Sequence, residues 1–247
     1  VAGSWDVNWG IADGQSLELG KPFSLQRDGP NIKIPADGRY KVVVDLGNNS
    51  ATISASNFPD NLYLVGGGVP AGWDPGSSAP FVKLEDGKFR IYTPITQNGE
   101  FKFLQGKSWD GDWGDNKNAP GVLEQNDEQN CKIIDEGFYR IDCDFIAGTW
   151  TTLRQEWGII GSATSQGWND ETPMVKSGNY SWKYTGNLSA GEIKFRANHD
   201  WGFNFGDNGA DGSLEGDGAN IAIPEEGNYE VEMILDPEGY TYTVKKL

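Results

Sequence analysis

Two short constellations in this chain have the chemistry to hold a polyhydroxylated ring. Lys102 is followed seven residues later by Trp109, and Lys194 by Trp201, each Trp lying in a Gly- and Asp-rich loop. A second Trp precedes each pair, Trp73 in Gly72-Trp-Asp74 and Trp168 in Gly167-Trp-Asn169. Flat indoles cover the C–H faces of a pyranose and gain buried area and dispersion. A Lys ammonium donates hydrogen bonds to the hydroxyls at its edge. Two indoles set at an angle match a curved chain such as an α-1,4-glucan, and such a site needs no nucleophile, base or metal. In Phe101-Lys102-Phe103 and Ile193-Lys194-Phe195 the apolar residues share the core face, so each Lys points outward. Arg196 shares the Lys194 face and adds a contact in the last site only, because its counterpart is Leu104. The competing reading makes Trp73 and Trp168 core plugs at a sheet edge and the two Lys ordinary solvated side chains. Trp113, which aligns with Phe205, reads as a loop anchor, and Trp182 and Tyr184 as packing residues. Trp5 aligns with Trp109 and Trp201, but its matching Lys would precede Val1, which leaves that site incomplete.

Other chemistries find less support. The 36 acidic residues offer no pair that stands out, and most sit in Asp-Gly turns, where turn chemistry explains them. His199 is the single His and reads as an exposed loop residue, so no His-based catalytic site repeats. The cluster Asp207-Asn-Gly-Ala-Asp-Gly212 has the ligand types for Ca²⁺ but not the EF-hand spacing. The reading is therefore a non-enzyme with no cofactor and no metal. A formal net charge of -16 excludes nucleic acid and a basic membrane-binding face. No apolar run is long enough to span a bilayer, so direct membrane insertion of this chain is not expected. It carries no signal peptide or lipid-anchor motif, and a start at Val1 reads as a processed or trimmed fragment.

The elements that must position these residues are visible as internal repeats. Asn31-Ile-Lys-Ile-Pro-Ala-Asp-Gly-Arg-Tyr40, Asn130-Cys-Lys-Ile-Ile-Asp-Glu-Gly-Phe-Tyr139 and Asn220-Ile-Ala-Ile-Pro-Glu-Glu-Gly-Asn-Tyr229 share one pattern. Each reads as an apolar strand, an acidic-Gly hairpin turn and a Tyr opening the next strand. The successive Tyr lie 99 and 90 residues apart, which sets the module length. Leu62-Tyr-Leu-Val-Gly66 and Gly158-Ile-Ile-Gly161 open two modules. Tyr139, Ile141 and Cys143 alternate with polar residues, as do Tyr229, Val231 and Met233, giving strands with one buried face. No amphipathic helix appears, and about seven short strands per module fit a β-sandwich. The expected architecture is all-β: tandem immunoglobulin-like or carbohydrate-binding-module sandwiches with an incomplete first module. Residues 1–58 form the C-terminal half of a truncated module, and 59–154 and 155–247 are complete glycan-binding modules. The short connector Leu153–Glu156 implies a fixed relative orientation. Cys131 and Cys143 replace core apolar residues on adjacent strands of one hairpin, where buried thiols and a disulfide both fit.

The Ile193-Lys-Phe-Arg-Ala-Asn-His-Asp-Trp-Gly stretch, the Gly-Trp-Asp/Asn loops and the Ile-Pro-x-x-Gly-x-Tyr segments resemble the SusE/SusF family of outer-membrane starch-binding lipoproteins. The resemblance spans nearly the whole chain. It implies non-catalytic binding of starch and maltooligosaccharides, a place on the extracellular face of the outer membrane, and work beside other surface glycan-uptake proteins. The lipid anchor and immunoglobulin-like domain it implies are absent from this chain. Residue by residue, its two aromatics and one cation fall on Trp73, Lys102 and Trp109, and on Trp168, Lys194 and Trp201. Another glycan, or an adhesive surface protein, remains the alternative to starch.

Overall fold

Apart from one 3-10 turn at Pro75–Ser77, every regular element among the described residues is a β-strand, as the period-two alternation requires. The structure is a computed structural model that describes residues 5–55 and 58–247. The other residues of the expected first module, 1–4 and 56–57, lie outside the described ones. The chain divides into two compact units, Val1–Phe58 and Pro59–Leu247.

In the first unit, β1 (Trp9–Ile11), β2 (Pro22–Arg27), β3 (Tyr40–Asp45) and β4 (Ser50–Ala55) form one sheet in the order β1-β2-β4-β3. Ile11, Phe23, Leu25, Ala51 and Ile53 make its small core.

The second unit holds two sandwiches. The first comprises β5 (Tyr63–Val65), β6 (Ala79–Pro80), β7 (Val82–Glu85), β8 (Lys88–Ile95), β9 (Gly99–Leu104), β10 (Gly114–Asn116), β11 (Ala119–Glu124), β12 (Cys131–Ile133), β13 (Gly137–Asp144) and β14 (Thr149–Arg154). One sheet runs β10-β11-β14-β13-β8-β7 and the other β12-β9-β5-β6. The second sandwich comprises β15 (Trp157–Ile160), β16 (Thr172–Pro173), β17 (Val175–Lys176), β18 (Ser181–Leu188), β19 (Gly191–Ala197), β20 (Asp200–Gly206), β21 (Glu215–Gly216), β22 (Ile221–Ile223), β23 (Gly227–Asp236) and β24 (Gly239–Lys246). Its sheets run β16-β15-β19-β20-β21, with β22 also on β19, and β17-β18-β23-β24.

The N-terminal sheet repeats the order β10-β11-β14-β13 and stops there. Strands equivalent to β8 and β7 are missing among its described residues. Val42 and Val44 are therefore 55% and 53% exposed, whereas their counterparts Ile141, Cys143, Val231 and Met233 are buried.

The acidic-Gly turns are not hairpins, contrary to the local pattern. β12 pairs with β9 in one sheet, while β13 pairs with β8 and β14 in the other, and β22 and β23 separate in the same way. The two later turns carry the chain across their sandwiches, and all three are fastened by their Tyr. The hydroxyls of Tyr40, Tyr139 and Tyr229 donate to the carbonyls of Ala36, Asp135 and Glu225 at 2.9, 2.9 and 2.8 Å. This is the tyrosine-corner arrangement of immunoglobulin-like sandwiches. Asn31–Ile34 forms no strand, because the partner of β12 and β22 (β9 and β19) has no counterpart among the described residues of that unit. We expect Tyr229→Phe to lower stability by about 1 kcal/mol in urea denaturation, the net worth of one such hydrogen bond.

The same crossing corrects the cysteine geometry. Cys131 lies opposite Phe101 on β12, and Cys143 lies between Phe89 and Trp150 on β13, so the two belong to opposite sheets rather than to one hairpin. Both are free, buried thiols, and burial pushes both well above the usual thiol range.

Parity also explains how the two sandwiches meet. On β8 and β13 the residues Phe89, Ile91, Ile141 and Cys143 face their own core, which puts Tyr92 and Phe138 on the outer face. Both are nonetheless buried, because the second sandwich covers them. Tyr92 packs edge-on against Trp157, Phe205 and Tyr240, and Phe138 against Trp182. Arg140, on the same outer face, stacks its guanidinium 4.6 Å from the centre of the Phe203 ring.

Candidate binding site

The Trp-bearing loops of the two sandwiches are built alike, bond for bond. Gly72 and Gly167 both adopt φ +60°, a left-handed conformation that favours Gly, immediately before Trp73 and Trp168. The Gly66 amide donates to the Gly72 carbonyl at 2.8 Å, and Gly161 to Gly167 at 3.0 Å. The amides of Gly72 and Gly167 close the turn onto Val69 and Thr164 at 3.1 Å in each loop. A Cβ on Gly67 would come within 2.9 Å of the Trp73 indole nitrogen, so this Gly makes room for the ring.

These loops bring each Trp to its partner. Trp73 and Trp109 lie 6.1 Å apart between ring centroids with planes inclined by 33°, and Trp168 and Trp201 lie 6.2 Å apart at 34°. All four rings are between 37% and 45% exposed, so none is a core plug. Trp5, at 86% exposed, has no ring partner among the described residues. Trp113 packs edge-on against Phe145 at 5.0 Å, and Trp182 is buried with Tyr184 beside it, the packing roles expected of them.

Lys102 and Lys194 occupy equivalent register positions, opposite Val65 and Ile160, but their surroundings differ. Lys102 Nζ donates to Asp112 Oδ2 at 2.6 Å and to Glu128 Oε1 at 2.5 Å. Burial alone would push this ammonium down, but the two carboxylates reverse that and raise it. Lys194 has no carboxylate in ion-pair contact among the described residues. Burial lowers it, and the charge of Asp217 offsets only part of the shift.

Arg196, expected as a surface contact, is only 4% exposed. Its Nε donates to Glu171 Oε2 at 2.7 Å, and its Nη2 meets Glu171 and, at 3.2 Å, Asp170. The guanidinium carbon lies 5.0 Å from the centre of the Trp201 ring. His199 completes the network, its amide donating to Glu171 Oε1 at 2.8 Å and its Nδ1 lying 2.6 Å from Asp170 Oδ1. Arg196 thus props Trp201 and ties its hairpin to the loop carrying Trp168. Asp170, Glu171 and His199 bring three metal-type ligand atoms within 4.8 Å of one another. With Glu171 Oε2 taken by Arg196, the group is an ion-pair clamp. Sequence reasoning missed Asp170 and Glu171. They follow Trp168-Asn169 directly, but the first sandwich has Pro75-Gly76 there, so repetition did not mark them.

The Asp/Gly cluster near residue 207 is likewise structural. The Asp207 carboxylate accepts the amides of Gly212, Gly209 and Asp211 and the hydroxyl of Tyr242. The Gly212 amide leads in holding its pKa down to about 2, with burial opposing. A depressed carboxylate contributes stability above its unfolded pKa and loses it as pH falls through the folded value. We therefore expect stability to drop between about pH 4 and pH 2, with Asp207→Asn flattening that part of a pH titration of the unfolding midpoint.

No helix among the described residues is long and apolar enough to cross a membrane. No protein-family profile matches the chain. Over 152 residues it is 26% identical to the outer membrane protein SusF of Bacteroides thetaiotaomicron, covering 55% of this chain and 31% of that one. The crystal structure of SusF from the same species matches 96% of this chain and 58% of its own, with a TM-score of 0.57 and 17% identity. The chain thus spans less than two thirds of either. In sequence over those 152 residues, and in its all-β fold over nearly its whole length, the chain is similar to SusF.

Proposed function

We propose that residues 59–154 and 155–247 are two non-catalytic glycan-binding modules that hold starch-type α-glucans at the outer face of the outer membrane. The observation that carries this reading is the exposed Trp pair built twice with one geometry, 6.1 and 6.2 Å apart at 33° and 34°. Inclined rings present two adjacent sugar faces of a curving chain with platforms that a flat polymer would not fit. In the first module Lys102 keeps one of its three N–H donors, and Asp112 and Glu128 beside it supply acceptors for hydroxyls. In the second, Lys194 offers a less committed ammonium. Arg196 acts there as a positioning residue for Trp201. Other surface glycan-uptake proteins are the expected partners.

Each module alone binds with a Kd of about 10 μM to 1 mM, and two on one chain gain on a long polysaccharide. Affinity electrophoresis on starch, with pullulan, dextran and levan as comparison gels, tests the reading. Retardation on starch and pullulan is expected. Its absence on every α-glucan gel would remove the proposal in favour of another glycan or an adhesive role. Because the ligand is neutral, retardation should change little between low and moderate salt, despite the net charge of -16.

A further inference from the structure

The covered outer face of the first sandwich leaves a cleft of about 380 Å³ where the second sandwich lifts away from it. A volume of this size lies within the range that takes a small organic ligand, and module junctions are favoured places for such sites. Its floor is the outer face of β7 and β8, with Val82, Leu84, Arg90 and Tyr92, and its wall is β20, β21 and Tyr240 of the second sandwich. Val82 and Leu84 are exposed apolar residues on a strand edge. Asn204 and Tyr240 also line the cleft, and neither the Asn204 Oδ1 nor the Tyr240 hydroxyl has a hydrogen-bond partner among the described residues.

The second sandwich's lining of the cleft begins one residue after Trp201 in the chain. Gly202 and Phe203 line it and directly follow Trp201, so the Phe203 Cα is within about 7 Å of the Trp201 Cα. Asn204 donates to the Trp201 carbonyl at 2.7 Å and to Asp217 at 2.7 Å, and Asp217 is the carboxylate whose charge reaches Lys194. Platform, Lys and cleft are therefore linked by one set of residues.

We propose that this cleft is an extension subsite that takes further sugar units of a glycan already seated on Trp168 and Trp201, so that the preceding module reads the same chain. The ligand class follows from the lining. Arg90 is committed to Asp142 at 2.6 Å, and the remaining charges, Glu215 and Asp217, are acidic, which disfavours an anion. Aromatic and aliphatic walls with amide and hydroxyl groups suit the C–H faces and hydroxyls of a neutral saccharide. This inference rests on the proposed glycan binding and goes beyond it by predicting a length dependence peculiar to the second module.

Isothermal titration with maltotriose and with maltoheptaose tests it, in a Trp109→Ala background that silences the first module's site. Leu84→Arg, at an exposed position, fills the cleft without touching the core, and Phe203→Ala removes its wall. Both are expected to weaken maltoheptaose about fivefold to tenfold while leaving maltotriose unchanged, the scale of one lost aromatic contact. Unchanged maltoheptaose affinity in a folded Leu84→Arg protein would overturn the subsite and leave the Trp-pair reading standing. Loss of both ligands in the Trp109→Ala background itself would overturn the subsite together with glycan binding by the second Trp pair.

Discussion

Replacing Trp109 and Trp201 together by Ala should abolish measurable binding to soluble starch while leaving the circular dichroism spectrum and the unfolding midpoint nearly unchanged. Each ring is one half of an inclined pair and roughly half exposed, so its removal takes away a platform without opening a core cavity. Truncating an aromatic anchor at the centre of a contact typically costs about 2 kcal/mol or more, roughly a thirtyfold loss. A site that starts between about 10 μM and 1 mM then falls to roughly 0.3–30 mM, too weak to hold the protein back on a starch gel. Each single variant should leave the other module binding, with the avidity on polysaccharide lost and the stoichiometry for short oligosaccharides halved at unchanged affinity. A double variant that still binds starch would place the ligand elsewhere.

Arg196→Met should destabilise the Pro59–Leu247 unit by about 3–5 kcal/mol, the penalty of leaving a buried carboxylate without its counter-charge. Glu171 is as inaccessible as Arg196, and no other cation among the described residues is placed to replace the guanidinium at its Oε2. The unfolding midpoint should fall by roughly 6–20 °C for a unit of this size. The diagnostic result is the double change Arg196→Met/Glu171→Met, which removes both charges and should recover most of the loss. Glycan binding should not recover with it, because the cation under Trp201 is gone in both variants. Recovery of stability and binding together would show that Trp201 holds its place without the stack.

Much of this site was legible in the sequence because the chain states it twice. The Gly-Trp loops require a left-handed Gly immediately before the ring, and Lys102 and Lys194 sit between apolar neighbours whose parity is unambiguous. The tyrosine corners were legible as a motif but not as a geometry. An acidic-Gly turn followed by Tyr reads locally as a hairpin, and only the partner strands, some thirty to fifty residues away, decide that the chain crosses to the other sheet. Arg196 misled for a related reason. Parity put it on the outer face correctly, but that face is roofed by the Trp168 loop, whose Asp170 and Glu171 have no repeat to announce them. Tyr92 and Phe138 show the same limit, since a module's alternation describes its own core and not the neighbour that covers its back.

The two buried thiols give the protein a practical property. Cys131 and Cys143 are enclosed in the sandwich interior, and burial disfavours the thiolate, the form that reacts with maleimides and disulfides. The folded chain is therefore chemically silent toward thiol reagents. A single cysteine introduced at Leu84, on the lip of the cleft, could be labelled without first removing the native pair, and its fluorophore would report occupancy there against a dark background.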